Sequence, residues 1–170
     1  SVFLGFNDGL VEILGAVSGF FASLGEPRLV LMAGASVAAA GAFSMAAGAY
    51  AAASSEREML WIEAGRKAFL GQSAQRPDGA RAWQSGALVG FSYLIGALVP
   101  LLPIWLGART LWAPAIMGGA MSLFVSLVLS FLSGMETRRR MLLNAAMIAC
   151  ALAWSFAVGF AARRLWGIAV

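Results

Sequence analysis

The sequence has no histidine and a single cysteine, Cys150. Within one chain, these absences exclude His-ligated metal sites, cysteine clusters, disulfides and Ser-His-Asp or Cys-His catalysis. Charged residues are also scarce, at 12% of 170 residues, where a soluble domain has about 25%. Any chemistry must therefore use carboxylates and the side chains of Met, Tyr, Asn and Ser.

Apolar residues take the place of charge. They make up 61% of the chain, and the mean hydropathy of +0.81 indicates an integral membrane protein. The 12 Lys and Arg outnumber the 8 Asp and Glu. In a soluble protein this excess would suggest nucleic acid, but in a membrane protein it more simply holds loops on one side. We therefore expect the lipid bilayer as a partner and no nucleic acid.

Five stretches are long and apolar enough to cross a bilayer as helices, which takes about 20 residues each. They cover about residues 2–24, 29–53, 83–106, 110–132 and 141–162. The second stretch is expected to continue as one helix into a charged cytoplasmic extension, because no helix breaker occurs before Gly65. Residues 54–82 hold this extension and a polar loop at 72–81, and residues 133–140 are predicted to be a basic loop. The sequence thus predicts a single all-α transmembrane domain over residues 1–170.

The positive charges predict the orientation of these helices. One side carries Arg57, Arg66, Lys67, Arg76, Arg81, Arg138, Arg139 and Arg140. The other side carries Arg28, Arg109, Arg163 and Arg164. Since cytoplasmic loops are richer in Lys and Arg, we predict a cytoplasmic N-terminus and an outer or luminal C-terminus. No signal peptide is evident, and the start at Ser1 suggests that an upstream part has been removed.

The first span contains two carboxylates, Asp8 and Glu12. An ionisable group inside a span costs roughly 2.5–3.5 kcal/mol, so each calls for a functional explanation. Their spacing of four residues places them on one helix face, about 6 Å apart along the axis. Two such carboxylates repel each other unless a proton or a cation lies between them, which is the behaviour of a proton-coupled cation site. Alternatively, Asp8 caps the helix or contacts water, with Asn7 and Gly9 in a local turn.

The second helix carries Ser44, Met45 and Tyr50 near its cytoplasmic end. Because the first two helices are expected to be antiparallel neighbours, Met45 should lie at a depth close to that of Asp8 and Glu12. A thioether beside carboxylates suits Fe(II) or similar metals and discourages Mg(II) and Ca(II). Alone, Met45 would more often fill a core.

Three glutamates follow in the extension: Glu56, Glu58 and Glu63. They are candidates for collecting cations at the cytoplasmic mouth, although a solvated charged face is an equally good interpretation. Small residues three to four apart are dense on the first two helices and predict that these two form the tightly packed centre.

Three motifs resemble those of the vacuolar iron transporter family. They are Asn-Asp-Gly-Leu at 7–10, Gly-Ala-Phe-Ser-Met at 41–45, and Gly-Ala-Leu-Val-Pro-Leu-Leu-Pro at 96–103. The family's hallmarks are an Asp-Gly-Leu opening, Gly-Ala-x-Ser-Met in the second helix and Gly-x-x-x-Pro-Leu-Leu-Pro in the third. The resemblance covers nearly the whole chain, with the motifs in the family's order.

The resemblance implies a five-helix homodimer whose first helices line a shared ion path at the dimer axis. It implies exchange of cytosolic Fe(II), and often Mn(II), for protons, with no permanently bound cofactor and no enzymatic activity. Asp8 and Met45 match the family's pathway Asp and Met, and Tyr93 matches a pathway-facing tyrosine. Asn7, Ser44 and Tyr50 are expected to support this path. The membrane would be a bacterial inner membrane, or a vacuolar-type membrane in a eukaryote.

The chain departs from the family at two places. The family often has a Glu about eight residues before the Met, where this chain has Val37, so that role is missing or has moved to Glu12. The long Glu-rich cytosolic domain of plant and parasite members is also absent. Some bacterial relatives carry a ferritin-like domain ahead of the membrane part. Two alternatives therefore stay open: a membrane anchor and dimerisation module for such a domain, and a small proton-coupled exporter of organic cations.

Overall fold

The computed structural model describes residues 2–71, 81–133 and 137–166, and all of its regular structure is helical. The helices are α1 Val2–Ser23, α2 Pro27–Phe69, α3 Ala82–Trp105, α4 Trp112–Ser133 and α5 Thr137–Trp166. All five are long and apolar enough to cross a membrane. Over the described residues, this confirms the prediction of an all-α chain with five helices of membrane-spanning length.

The centre of the bundle is α1, which packs against each of the other four helices. The predicted central position of α2 is wrong, because α2 packs mainly on α3 and has a smaller contact with α1. The small residues of α2 indicated close packing correctly, but their partner is the glycine-rich face of α3. A methyl group on Gly86 or Gly90 would meet the backbone carbonyls of Ala46 and Ala42.

The connection between α1 and α2 follows from two residues. Gly25 adopts φ +70°, which glycine reaches without strain, and so ends α1. Pro27 occupies the first position of α2, where its fixed φ suits a helix and its missing N–H is no loss. The second helix then runs unbroken to Phe69, which confirms the predicted continuous extension.

The start of α5 differs from the prediction made from the sequence, whereas the extent of α3 agrees with it. The predicted basic loop at 133–140 is wrong at each residue that the structure describes, because Ser133 ends α4 and Thr137 to Arg140 form the first turn of α5. Arginine is a good helix former, so the charged run does not break the helix. In contrast, α3 continues through Pro100 and Pro103 to Trp105. Residues 72–80 of the predicted polar loop and residues 134–136 lie outside the described residues.

The core is apolar and joins α1, α2 and α3. Ile13 and Val17 of α1, Val30 of α2 and Tyr93 of α3 are completely buried within it. Apolar surface covers most of the outside of the bundle as well, as expected where lipid replaces water. The core therefore places Tyr93 where α1 and α2 both reach α3.

Candidate functional site

The two carboxylates of α1 lie on a side of the helix that its neighbours leave open. Glu12 is exposed, Asp8 is partly buried, and Leu4, one turn before Asp8, is 63% exposed. The contacts of α5 lie further along α1, at Gly15 and Gly19. Asp8 and Glu12 therefore occupy one outward-facing stripe on the first half of α1.

Tyr93 of α3 lies beside this stripe. A methyl group on Gly9 of α1 would meet its backbone carbonyl, and one on Gly41 of α2 would meet its hydroxyl, so glycines enclose the residue from two sides. Glu12 and Asp8 are the carboxylates close enough to interact electrostatically with this hydroxyl. The hydroxyl is buried, and among the described residues no acceptor meets it with full hydrogen-bond geometry, although Glu12 lies near enough to interact with it. An unpaired buried donor costs free energy, so this hydroxyl has an unused hydrogen bond close to two carboxylates.

Met45 lies one helical turn beyond Gly41 on α2. It is partly buried and packs against the core cluster that contains Tyr93. Its neighbours Ala42 and Ala46 pack on Gly90 of α3, one turn before Tyr93. The thioether thus lies within about a turn of the Tyr93 level.

Two other residues of α2 lie differently from Met45. Val37, at the position where relatives often have Glu, packs with the same apolar core and supplies no ligand atom. Ser44 is exposed, so within one chain it is not gathered with the other candidate residues.

Asn7 turns away from Asp8 into a buried polar network that the sequence analysis missed. The Ser122 hydroxyl of α4 donates to Asn7 Oδ1 at 3.1 Å. Asn144 of α5 donates through Nδ2 to Ser122 Oγ at 2.9 Å and also to the Ser126 hydroxyl. The available signal was a single Asn in an apolar span and serines four residues apart on α4. The network ties α1, α4 and α5 together directly beside Asp8.

The remaining candidates lie at the start of the extension. Tyr50 is 52% exposed and lines an open cavity of about 740 Å³ together with Arg57, Glu58 and Arg81. This cavity holds more positive than negative charge, which does not favour cation capture there.

Glu63 lies further along the extension and is paired with Lys67, at 2.7 Å. The Lys67 ammonium holds the pKa of Glu63 below its ordinary value. Glu56 is exposed. Within one chain, the three glutamates therefore do not form one site.

The geometry limits what one chain can do with a metal ion. Within the described ranges, no three Asp, Glu or Cys side chains come together. One chain supplies two carboxylates and, about a turn away, a thioether, which is fewer ligands than divalent metals take in proteins. The arrangement is suited to transient cation binding at an open face, with protons as competitors.

Comparison with known proteins identifies the family. A search of curated proteins gives no significant match. The model of the VIT family matches residues 1–69 and 61–160, which together cover nearly the whole chain. This agrees with the resemblance seen in the three motifs and with five helices of membrane-spanning length. The chain therefore belongs to the VIT family, a family of membrane metal-ion transporters.

Proposed function

We propose that this protein exports Fe(II), with Mn(II) as a second substrate, from the cytoplasm in exchange for protons. The observation that carries the proposal is the pair Asp8 and Glu12 on the open stripe of α1, next to the unpaired hydroxyl of Tyr93. Groups that bind a proton and a divalent cation in turn are what such an exchange needs.

The working unit is proposed to be a homodimer with α1 of each chain at the two-fold axis. Left uncovered inside a span, each carboxylate would cost up to roughly 2.5–3.5 kcal/mol. A second copy placed against the same stripe removes Asp8 and Glu12 from lipid. It also brings four carboxylates together, because in an isologous interface each residue is contributed twice. This doubling supplies the ligands that one chain lacks.

Exchange follows from competition at these carboxylates. When they bind Fe(II), they lose their protons to the solvent on the side that the site faces. When the site faces the opposite side, protons displace the metal and return the carboxylates to their neutral form. Tyr93 is proposed to donate its hydroxyl hydrogen to one of these carboxylates when that carboxylate is charged. Its hydrogen bond would then form in one state of the cycle and not in the other.

Selectivity is assigned to Met45. A thioether adds a soft ligand that Fe(II) accepts and that Mg(II) and Ca(II) do not favour. Glu56, which is exposed on the extension, is proposed to raise the local cation concentration at the cytoplasmic mouth, whereas Glu58 is outnumbered there by Arg57 and Arg81. Glu63 contributes less there, because Lys67 neutralises it.

The direction of transport depends on the predicted orientation, with the start of α1 and the extension of α2 in the cytoplasm. The same charge distribution fits a bacterial inner membrane, and a vacuolar-type membrane in a eukaryote. No permanently bound cofactor is needed for this activity.

The experiment uses proteoliposomes loaded with a pH-sensitive dye, with Fe(II) added on the side that corresponds to the cytoplasm. Wild type is compared with Asp8→Asn, Met45→Ala and Met32→Ala, the last being an exposed methionine at the other end of α2. We expect Fe(II)-dependent proton movement that Asp8→Asn abolishes. We expect Met45→Ala, but not Met32→Ala, to lose the preference for Fe(II) over Mg(II).

Three outcomes would contradict the proposal. Proton movement that is the same in wild type and Asp8→Asn would remove the carboxylate from the mechanism. A dimer that carries no Fe(II)-linked proton flux would favour an anchor for a soluble ferritin-like domain. Proton flux driven by organic cations in place of Fe(II) would favour a proton-coupled exporter of organic cations.

A further inference from the structure

A cavity of about 930 Å³ opens at the end of the bundle opposite to Asp8 and Glu12. It lies where α1 passes into α2 and where α3 ends, and α5 reaches it near its C-terminal end. Arg28, Arg109 and Arg163 all line it. Three separate segments of the chain therefore each bring one guanidinium to the same cavity.

None of these three arginines forms an ion pair with a described acidic residue. Glu26 lines the same cavity, but in the described part of the chain the ion pair is Lys67 with Glu63. No described carboxylate lies within 4.0 Å of any of the three guanidinium groups. The cavity therefore has an excess of positive charge with hydrogen-bond donors to spare.

The neighbouring Arg164 behaves differently. Its guanidinium lies over the ring of Phe160, 4.9 Å from the ring centre, and it does not line the cavity. The basic cavity is thus not simply a consequence of arginines at the end of α5. Arg164 also offers a control one residue away from Arg163.

The rest of the lining is apolar and includes Leu31 and Trp105, of which Trp105 is 72% exposed. Trp is typical of the boundary between hydrocarbon and headgroups. Guanidinium groups bind phosphate oxygens through paired, charge-assisted hydrogen bonds. A cavity lined by three arginines and by apolar side chains matches an anion that is itself amphiphilic.

We propose that this cavity binds a phosphate-bearing anion, held by Arg28, Arg109 and Arg163. An anionic phospholipid headgroup and a soluble phosphate share this chemistry, and the experiment below separates them. The proposal concerns a site at the far end of the bundle and does not depend on the proposed exchange of metal for protons.

The test measures binding to the purified protein in neutral detergent. One arm titrates phosphatidylglycerol and, separately, the zwitterionic phosphatidylcholine, and counts bound lipids by native mass spectrometry. The other arm titrates inorganic phosphate by calorimetry. Each arm compares wild type with Arg163→Gln, Arg109→Gln/Arg163→Gln and Arg164→Gln, and size-exclusion chromatography checks that every variant keeps its assembly.

We expect phosphatidylglycerol to bind more tightly than phosphatidylcholine. A basic residue near a membrane surface is worth about 1 kcal/mol, so Arg163→Gln should raise Kd about fivefold and the double variant on the order of 30-fold. Arg163→Lys should recover part of the loss, and Arg164→Gln should change Kd less than twofold.

The outcomes distinguish a lipid site, a soluble-anion site and the absence of a site. A preference for phosphatidylglycerol that is lost in the double variant supports the site and assigns it to lipid. Phosphate binding with the same dependence on arginine, without lipid preference, supports the site and assigns it to a soluble anion. Absence of binding in both arms, or an Arg164→Gln effect as large as that of Arg163→Gln, overturns the proposal.

Discussion

Replacing Gly96 by alanine should push α1 and α3 apart. A methyl group on Gly96 would overlap the carbonyl oxygen of Phe6 and lie 2.8 Å from its carbonyl carbon and 3.1 Å from the nitrogen of Leu10. All of these are backbone atoms, so no side-chain rotation relieves the overlap. Overpacking costs about 1–3 kcal/mol, and alanine regains about 0.5–1 kcal/mol as the better helix former. The mid-range values of these two effects give a net loss of about 1 kcal/mol, with an upper limit of about 2.5 kcal/mol.

The assay is reversible unfolding in mixed detergent micelles, followed by the fluorescence of the six tryptophans. Gly119→Ala is the matched control, because Gly119 lies inside α4 and a methyl group there would have no atom within 4 Å. We expect the control to be neutral or slightly stabilised. Equal stability of the Gly96→Ala and Gly119→Ala proteins would refute the argument that glycine at 96 is needed for the approach of α1 to α3.

Three further predictions concern other contacts. Asn144→Ala should lower the free energy of unfolding by about 1 kcal/mol, because it leaves two buried serines without their donor; an unchanged unfolding curve would contradict this. Lys67→Met should raise the pKa of Glu63, measured by carboxyl NMR titration. The Glu63–Lys67 pair stabilises the extension at neutral pH, and this stabilisation is lost as the pH falls through the lowered pKa of Glu63. Without Lys67, the Glu63 carboxylate should therefore take up its proton at a higher pH. Gly41→Ala should destabilise the protein by about 1–3 kcal/mol, because the added methyl group meets the Tyr93 hydroxyl. Tyr93→Phe removes the hydroxyl but leaves ring carbons Cζ and Cε1 at 2.5 and 2.9 Å from the added methyl group, so it should relieve only part of that loss. Strictly additive effects in a double-mutant cycle would show that the two positions do not touch.

The number and type of the helices could be predicted because each span needs about 20 apolar residues and such runs are visible in the sequence. The neighbours of each helix could not. In lipid, helices associate through small residues, and glycine on one helix indicates close approach without naming the partner. Thus Gly41 and Ala42 indicated correctly that α2 is tightly packed, while the partner proved to be α3.

The candidate site divides in the same way. Asp8 and Glu12 stand out in the sequence because charge is rare in a span. Met45 was proposed from its expected depth and its soft sulfur and also matches a family motif, whereas Tyr93 was carried over from a family motif alone. The buried network of Asn7, Ser122 and Asn144 was missed, since single polar residues in an apolar span give a weak signal unless the fold is known. Arg138 was misplaced in a loop because charge was taken as a helix end, although arginine continues a helix without penalty.

Tyr93 and Glu12 differ in how their positions are fixed, and this difference supports a site shared between two chains. Tyr93 is enclosed by glycines of α1 and α2, so its position is set within one chain. Glu12 is exposed, and its position in lipid is tolerable only when something covers it. A rigid hydroxyl inside the chain and carboxylates at its edge suit a site completed by a second copy. On this proposal, each chain holds its own Tyr93 hydroxyl in a fixed position, and the carboxylates of two chains together provide enough ligands for a divalent metal ion.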